Sequence, residues 1–98
     1  MYIIRTLPQF DKWLSGIKDG MAKRRLVARI KKAQLGNLGD IKPVGEGIFE
    51  MREHFGAGYR MYYVQHGAVM IIMLGGGDKS SQADDIAKAK QLANLLED

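Results

Sequence analysis

The chain has 98 residues, with 15 lysines and arginines against 11 aspartates and glutamates, which gives a formal net charge of +4. This length predicts a single domain over residues 1–98. The absence of cysteine excludes disulfides, iron–sulfur clusters and thiol catalysis, and with only two histidines we expect no metal site and no cofactor. No apolar segment approaches the ~20 residues of a membrane span and no signal-peptide pattern begins the chain, so a cytoplasmic protein without membrane contact is predicted.

The first half of the chain predicts one strand and two helices. Residues 2–5 alternate in the manner of a short strand, and Thr6 is positioned to cap a following helix whose first turn contains Pro8. Apolar residues recur at helical spacing from position 10 to position 17 and give this helix one buried face. A second helix is predicted over residues 21–35, and the two helices are expected to form an αα-hairpin.

The second half predicts a loop followed by three strands. Glycine and proline residues mark 38–47 as a loop, and beyond it the apolar residues alternate with the period of a strand. Short glycine-containing turns separate the three predicted strands, which cover residues 48–55, 59–65 and 68–74.

A glycine-rich segment and a final helix complete the pattern. The last strand is expected to end at the three glycines 75–77, which would let the backbone approach an anion closely. Ser81 and Asp84 have the spacing of a capping box at the start of the last helix. The order β-α-α-β-β-β-α predicts an α+β fold with a small, mainly antiparallel sheet, an N-terminal helical hairpin and a C-terminal helix.

Charge is unevenly distributed along the chain. Residues 1–48 carry ten basic and four acidic side chains, a balance of +6, whereas residues 49–98 carry five basic and seven acidic ones, a balance of −2. Much of the excess lies on the second predicted helix, at Lys23, Arg24, Arg25, Arg29, Lys31 and Lys32. This basic stripe is interpreted as a contact for a nucleic-acid backbone. A solvated helix face and a surface for an acidic protein partner are the alternatives.

The hairpin predicted over residues 48–65 separates polar from apolar side chains. Because side chains alternate along a strand, one face is expected to collect a polar set, Glu50, Arg52, His54, Arg60 and Tyr62. The opposite face collects core residues, Phe49, Met51, Phe55, Tyr59, Met61 and Tyr63. In the expected register His54 lies opposite Arg60, and Arg52 lies opposite Tyr62.

The polar face has the composition of a phosphate site. Two guanidiniums close together repel each other by roughly 4 kcal/mol at 4 Å and an effective dielectric of 20, so an anionic ligand between them would stabilise the pair. Arg52 and Arg60 suit phosphate oxygens, and Lys79 is expected to reach the same face from the end of the neighbouring strand. The alternative is a solvated sheet face with ordinary ion pairs.

Three motifs carry a resemblance to a known family. They are IFEMR at 48–52, GAGYRMYY at 56–63 and LGGGDKSSQ at 74–82, followed by DIA at 85–87. With this spacing the chain resembles the RelE/ParE toxin superfamily, and within it the HigB-like addiction module killer proteins. The resemblance extends over essentially the whole chain and includes the predicted order of elements.

The resemblance implies the toxin of a type II toxin–antitoxin system. Such a toxin is held inactive by a protein antitoxin, commonly a helix-turn-helix protein encoded next to it. RelE-like members are mRNA interferases that act on the ribosome, without a metal, by driving the ribose 2′-OH onto the adjacent phosphate. ParE-like relatives on the same fold instead inhibit DNA gyrase. That function, and a nucleic-acid-binding module without catalysis, are the alternatives here.

The resemblance also implies roles for individual residues. Arg52 and Arg60 would hold the scissile phosphate and its transition state, and Lys79 would add charge or orientation. His54 and Tyr62 are the candidates for acid–base catalysis. The basic stripe would then bind ribosomal RNA.

Overall fold

A computed structural model describes residues 1–96, which form one five-stranded mixed sheet and three α-helices. The first half contains β1 (Ile3–Thr6), α1 (Pro8–Ser15), α2 (Gly20–Gln34) and β2 (Ile41–Gly45). The second half contains β3 (Ile48–Arg52), β4 (Arg60–His66), β5 (Met70–Gly77), a 3-10 turn (Lys79–Ser81) and α3 (Gln82–Leu95). The predicted α+β class is confirmed. Residues 97 and 98 of the predicted domain lie outside the described part.

The strands lie in the order β1-β5-β4-β3-β2. The β3–β4 and β4–β5 pairs are antiparallel, as predicted, and so is the β2–β3 pair, whereas β1 pairs with β5 in parallel, with Ile4 beside Ile71. The sheet is therefore mixed. After α2 the chain forms β2 at the far edge and adds β3, β4 and β5 in turn, so that β5 lies beside β1. None of the helices in residues 1–96 is long and apolar enough to cross a membrane.

Both N-terminal helices form where periodicity predicts them, but their caps differ from expectation. Pro8 occupies the first turn of α1 as predicted, whereas the N-cap is Leu7 rather than Thr6 and supplies no side-chain hydrogen bond. Asp19 caps α2, because its carboxylate accepts hydrogen bonds from the backbone N–H groups of Met21 and Ala22 at 3.0 and 3.2 Å.

The predicted loop 38–47 contains a strand, so that prediction is wrong. β2 pairs with β3 at the edge of the sheet, where Pro43 is tolerated because one side of the strand has no neighbour to bond. Glu46 and Gly47 then turn the chain with positive φ angles of 54° and 80°, the conformation of a tight two-residue hairpin.

The three glycines 75–77 are part of β5 rather than an open loop, so the predicted end of the last strand is wrong. They pair with Tyr62, Met61 and Arg60 of β4. A Cβ at Gly76 would lie 2.4 Å from the Trp13 ring, and one at Gly77 would lie 1.8 Å from Oδ2 of Asp85. The glycines therefore let α1 and α3 pack directly on the strand.

Helices cover both faces of the sheet. On one face the buried side chains of α1 and α2 pack against the apolar hairpin residues, including Phe10, Leu26, Met51 and Tyr63. On the other face α3 packs over a second cluster that contains Ile48, Tyr62 and Leu74. Much of the face predicted to be polar and open is thus beneath α3.

Candidate functional site

Charged residues line one end of the sheet: basic side chains at β5, β4 and β3, and a carboxylate at β2. Arg52 ends β3 and pairs with Arg60, which begins β4, and Arg60 in turn pairs with Gly77 at the end of β5. Lys79 follows β5, and Asp40 precedes β2 directly. Read across this end in strand order, the positions are Lys79, Arg60, Arg52 and Asp40. We call this end, together with His54, the cationic end of the sheet.

The hairpin register differs from the prediction by two residues. Arg52 lies opposite Arg60 and Glu50 opposite Tyr62, so Arg52 does not face Tyr62 and His54 does not face Arg60. A shift of two residues leaves the side chains of β3 and β4 on their predicted faces, because the side-chain period of a strand is two. His54 and Phe55, predicted within the strand, lie beyond the end of β3. The two guanidiniums are consequently nearer neighbours than predicted, on the same face of adjacent strands.

Lys79 reaches the hairpin through its turn. Its backbone N–H donates to the carbonyl of Ala57 at 3.3 Å, which ties the 3-10 turn to the β3–β4 connection. A Cβ at Gly58 would lie 3.1 Å from Nη1 of Arg60 and 3.4 Å from Cβ of Lys79, so both residues border this glycine. Asp78 caps the turn by accepting from the Ser80 N–H at 2.8 Å.

The predicted capping box at the start of α3 is wrong: the Ser81 hydroxyl donates to Asp85 at 2.5 Å and caps no backbone group.

Three members of the predicted polar face are buried beneath the first turn of α3. Glu50 is fully buried and accepts a hydrogen bond from Gln82 at 2.7 Å, and its carboxylate lies 3.7 Å from Nε of Arg60. Arg60 is 8% exposed and donates to the carbonyl of Gly58 at 2.6 Å. An open site formed by the whole face is therefore excluded in this conformation.

Tyr62 is enclosed in this buried group. Its side chain has no exposed surface, and its hydroxyl has no hydrogen-bond partner among residues 1–96. Burial raises the pKa of Tyr62 well above its ordinary value, and the negative charge of Glu50 raises it further. The phenol stays neutral and out of reach of a ligand, so the structure does not favour Tyr62 as an acid–base group.

The open part of the cationic end is a three-residue cluster that includes an unpredicted carboxylate. Oδ1 of Asp40 accepts from Nη2 of Arg52 at 3.0 Å, and Oδ2 lies 2.8 Å from Nε2 of His54. The His54 side chain is 68% exposed. The hydrogen bond from Arg52, followed by that from His54, holds the pKa of Asp40 below its usual value. A fixed carboxylate, an accessible imidazole and a guanidinium therefore meet at one point.

The basic stripe on α2 divides into buried and exposed members. Arg29 is 9% exposed, so its predicted place in an open stripe is wrong. It binds the Glu53 carboxylate and donates to the carbonyls of Leu38, Asp40 and Arg52. The exposed or half-buried members are Lys23, Arg24, Arg25, Lys31 and Lys32.

A small groove lies between α2 and the segment that contains Glu53 and Phe55. The guanidinium carbon of Arg25 lies 4.7 Å from the centre of the Phe55 ring, a cation–π contact. Arg25, Lys32, Glu53 and Phe55 line the groove, which has a volume of about 230 Å³. Two exposed cations and an aromatic ring thus lie together on the α2 side of the sheet.

A larger groove of about 860 Å³ lies between α1 and α3. Its apolar wall includes Trp13, Ile17, Leu92 and Leu95, and the last of these is 79% exposed. The groove extends toward the cationic end, where its lining includes Tyr59 and Asp78, and its basic lining residues are Lys12, Lys18 and Lys88. No group of three or more side chains able to hold a metal ion occurs among residues 1–96.

Comparison with known sequences relates the whole domain to a bacterial protein. A chain from Haemophilus influenzae (strain Rd), described as "Uncharacterized protein", is 52% identical over 93 residues, which is 95% of this chain and 94% of the Haemophilus chain. The chain belongs to the family of that Haemophilus protein. Membership of this family extends over nearly the full length of both chains and so concerns the whole fold rather than one motif. No family model matches the chain.

Proposed function

We propose that the chain is the toxin of a type II toxin–antitoxin system, a HigB-like member of the RelE/ParE superfamily, and that it cleaves mRNA on the ribosome. The observation that supports this most is the arrangement of the cationic end. Two arginines lie between Lys79 on one side and the Asp40–His54 pair on the other. The sequence motifs suggested the residues, and their order across the strands supports a reaction at a phosphate.

The reaction requires a base, positive charge and an acid in line. His54 accepts the proton of the ribose 2′-OH as its oxygen bonds to the adjacent phosphorus, because its ring is open to solvent. The bond from phosphorus to the 5′-oxygen then breaks, which leaves a 2′,3′-cyclic phosphate. Lys79 supplies a proton to the departing 5′-oxygen from the opposite side. β3 and β5 are two strand spacings of about 4.8 Å apart, about 10 Å in all, which leaves room for a phosphodiester between the two side chains.

The two arginines stabilise the charge that develops on the phosphorane. Arg52 is the better placed to contact phosphate oxygens, since 30% of its side chain is exposed. Arg60 acts as a fixed positive charge beneath the site, because it is held by Glu50 and by the Gly58 carbonyl. Each interaction is worth about 2–4 kcal/mol in the transition state if it acts as an oxyanion donor does.

The exposed members of the basic stripe bind ribosomal RNA in this proposal. Arg25 and Lys32 border the small groove, and Phe55 in the same groove offers a ring for a base to stack on. Binding to RNA phosphates releases counterions, so affinity should fall steeply with salt. Lys32→Ala should reduce the slope of the logarithm of affinity against the logarithm of salt concentration by about one.

We also propose a protein antitoxin, commonly a helix-turn-helix protein encoded adjacently, as the partner. An apolar helix with acidic residues on its flanks fits the larger groove, because three lysines belong to the lining and the apolar wall is partly exposed. Asp78 and Asp85, which also line it, are engaged by serines within the chain. Co-purification with the product of the adjacent gene tests this partner.

Induced expression in bacteria tests the proposed function. The expected result is growth arrest with mRNA cuts that map to translated regions and disappear when initiation is blocked. Arg52→Gln and Lys79→Ala should each lower cleavage by about a hundredfold or more, consistent with loss of a transition-state contact. Arg60→Lys keeps a positive charge beside the buried Glu50, so a loss of cleavage in this variant can be assigned to catalysis rather than to folding. Lys42→Ala, an exposed lysine on β2, is the matched control and should cleave normally.

Three results would contradict the proposal. Growth arrest accompanied by gyrase-dependent DNA breaks and intact mRNA would favour the ParE-like activity. Cleavage unchanged in both Arg52→Gln and Lys79→Ala would remove the cationic end as the site. RNA binding by the wild type without any cleavage would favour a nucleic-acid-binding module.

A further inference from the structure

We propose that Asp40 is a positioning residue of the cationic end, which holds His54 in the tautomer that carries hydrogen on Nε2 and leaves Nδ1 free to accept a proton. The same carboxylate keeps Arg52 beside that imidazole. The inference rests on the proposed function for its catalytic consequence. The tautomer itself can be measured without any RNA.

The contacts of Asp40 separate its two oxygens. Oδ1 lies 3.0 Å from Nη2 of Arg52, and Oδ2 lies 2.8 Å from Nε2 of His54. An ionised carboxylate can only accept hydrogen bonds, so the hydrogen between Oδ2 and Nε2 belongs to the imidazole. In a neutral imidazole one nitrogen carries hydrogen and the other a lone pair, and the lone pair is therefore on Nδ1.

The backbone around Asp40 is fixed as well. Its carbonyl accepts from the Arg52 N–H at 3.0 Å and from Nη2 of Arg29 at 2.8 Å. Two donors from separate elements, β3 and α2, thus hold the residue that presents the carboxylate. The Arg29 contact gives the buried arginine of the basic stripe a part in the site, since it anchors Asp40 from below.

The charge of Asp40 suits this position. Hydrogen bonds from Arg52 and His54 hold the pKa of Asp40 below its usual value, so the group is ionised at neutral pH. Once His54 has taken a proton, the carboxylate faces an imidazolium and stabilises it. An aspartate faces the histidine of a serine protease in the same way.

Nitrogen-15 NMR of the full chain tests the tautomer. The spectra are recorded at a pH where both histidines are neutral. His66, the exposed last residue of β4, serves as the internal reference, since its ring makes no side-chain hydrogen bond among residues 1–96. We expect His54 to show the Nε2–H tautomer almost exclusively. Asp40→Ala should shift His54 toward the tautomer mixture of His66, while leaving His66 unchanged.

Cleavage assays with the same variant test the consequence. Asp40→Ala should lower mRNA cleavage at least about tenfold, which is less than the about hundredfold that a positioned acid–base group contributes at the low end, because His54 itself remains. Glu46→Ala is the matched control: it removes an exposed carboxylate at the other end of β2, whose partner is Lys90, and should cleave normally. Amide spectra of both variants establish that they fold.

Each arm has an outcome that overturns the inference. If wild-type His54 shows the same mixture as His66, or if Asp40→Ala leaves its tautomer unchanged, Asp40 does not orient the ring. If the tautomer shifts but cleavage does not, the positioning has no catalytic part. Should wild-type protein fail to cleave mRNA at all, the proposed function fails, and the tautomer result still decides what Asp40 does to His54. If Asp40→Ala does not fold, Asp40→Asn replaces it, with the same readouts.

Discussion

Replacing Arg29 by methionine should lower the free energy of unfolding far more than replacing any other basic residue of α2. The guanidinium donates to the Leu38 carbonyl at 3.2 and 3.0 Å, to the Asp40 carbonyl at 2.8 Å and to the Arg52 carbonyl at 2.9 Å. It also binds the Glu53 carboxylate. Methionine keeps the length and the apolar stem but supplies none of these donors.

The loss in free energy of unfolding follows from the Glu53 carboxylate, which Arg29→Met leaves without its partner. Removing one partner of a buried ion pair costs about 3–5 kcal/mol, because the other charge stays buried. The Glu53 side chain is 21% exposed, so water can reach it and the lower value, about 3 kcal/mol, is appropriate. A domain of this size has a free energy of unfolding of about 5–15 kcal/mol. With a shift of about 4–8 °C per kcal/mol, the Tm should fall by roughly 12–24 °C.

Thermal and urea unfolding, followed by circular dichroism, measure this difference. Lys31→Met is the matched control, since Lys31 is exposed on the same helix, and it should change the free energy of unfolding by less than about 0.5 kcal/mol. A loss below about 1 kcal/mol for Arg29→Met, or equal losses for both variants, would refute the assignment of Arg29 to the interior.

Two further predictions concern packing and pH. Gly76→Ala should be strongly destabilising, because its Cβ would lie 2.4 Å from the Trp13 ring, whereas Gly75→Ala, with nothing within 4 Å of its Cβ, should be tolerated; equal Tm values would contradict this. The lowered pKa of Asp40, caused first by Arg52, means that its ion pair stabilises the fold above about pH 4 and loses that effect as the pH falls below it. Urea unfolding should therefore show wild type more stable than Asp40→Asn at pH 7 and the two alike in strong acid; a constant difference would argue against the ion pair.

Local pattern was enough for the helices and for the two faces of the hairpin. The apolar period of α1 and α2 reflects packing against one sheet face, which is written directly into the sequence. The hairpin faces were predicted correctly despite an error of two residues in the register, because only an odd shift exchanges them. What the alternation could not indicate is that α3 covers one of those faces.

The edge strand β2 and the extension of β5 depend on contacts that are distant in sequence. Pro43 is an ordinary turn marker in isolation and is acceptable in a strand only at a sheet edge. The glycines 75–77 likewise resemble a loop until Trp13 and Asp85 are seen to occupy the space that side chains would fill. Asp40 was missed for the same reason, since its position beside Arg52 depends on the pairing of β2 with β3.

The position of a residue along one strand face decides its role. Glu50 and Arg52 are two residues apart on the same face of β3, yet Glu50 is fully buried under the first turn of α3 whereas 30% of the Arg52 side chain is exposed. The boundary is the start of α3 at Gln82, whose amide binds Glu50. Polar residues covered by the first turn of α3, such as Glu50, hold the helix to the sheet. Polar residues that α3 does not cover, such as Arg52, remain accessible to a ligand. Arg60 lies at the boundary itself, which explains how one guanidinium can be held by Glu50 and still contribute its charge to the cationic end.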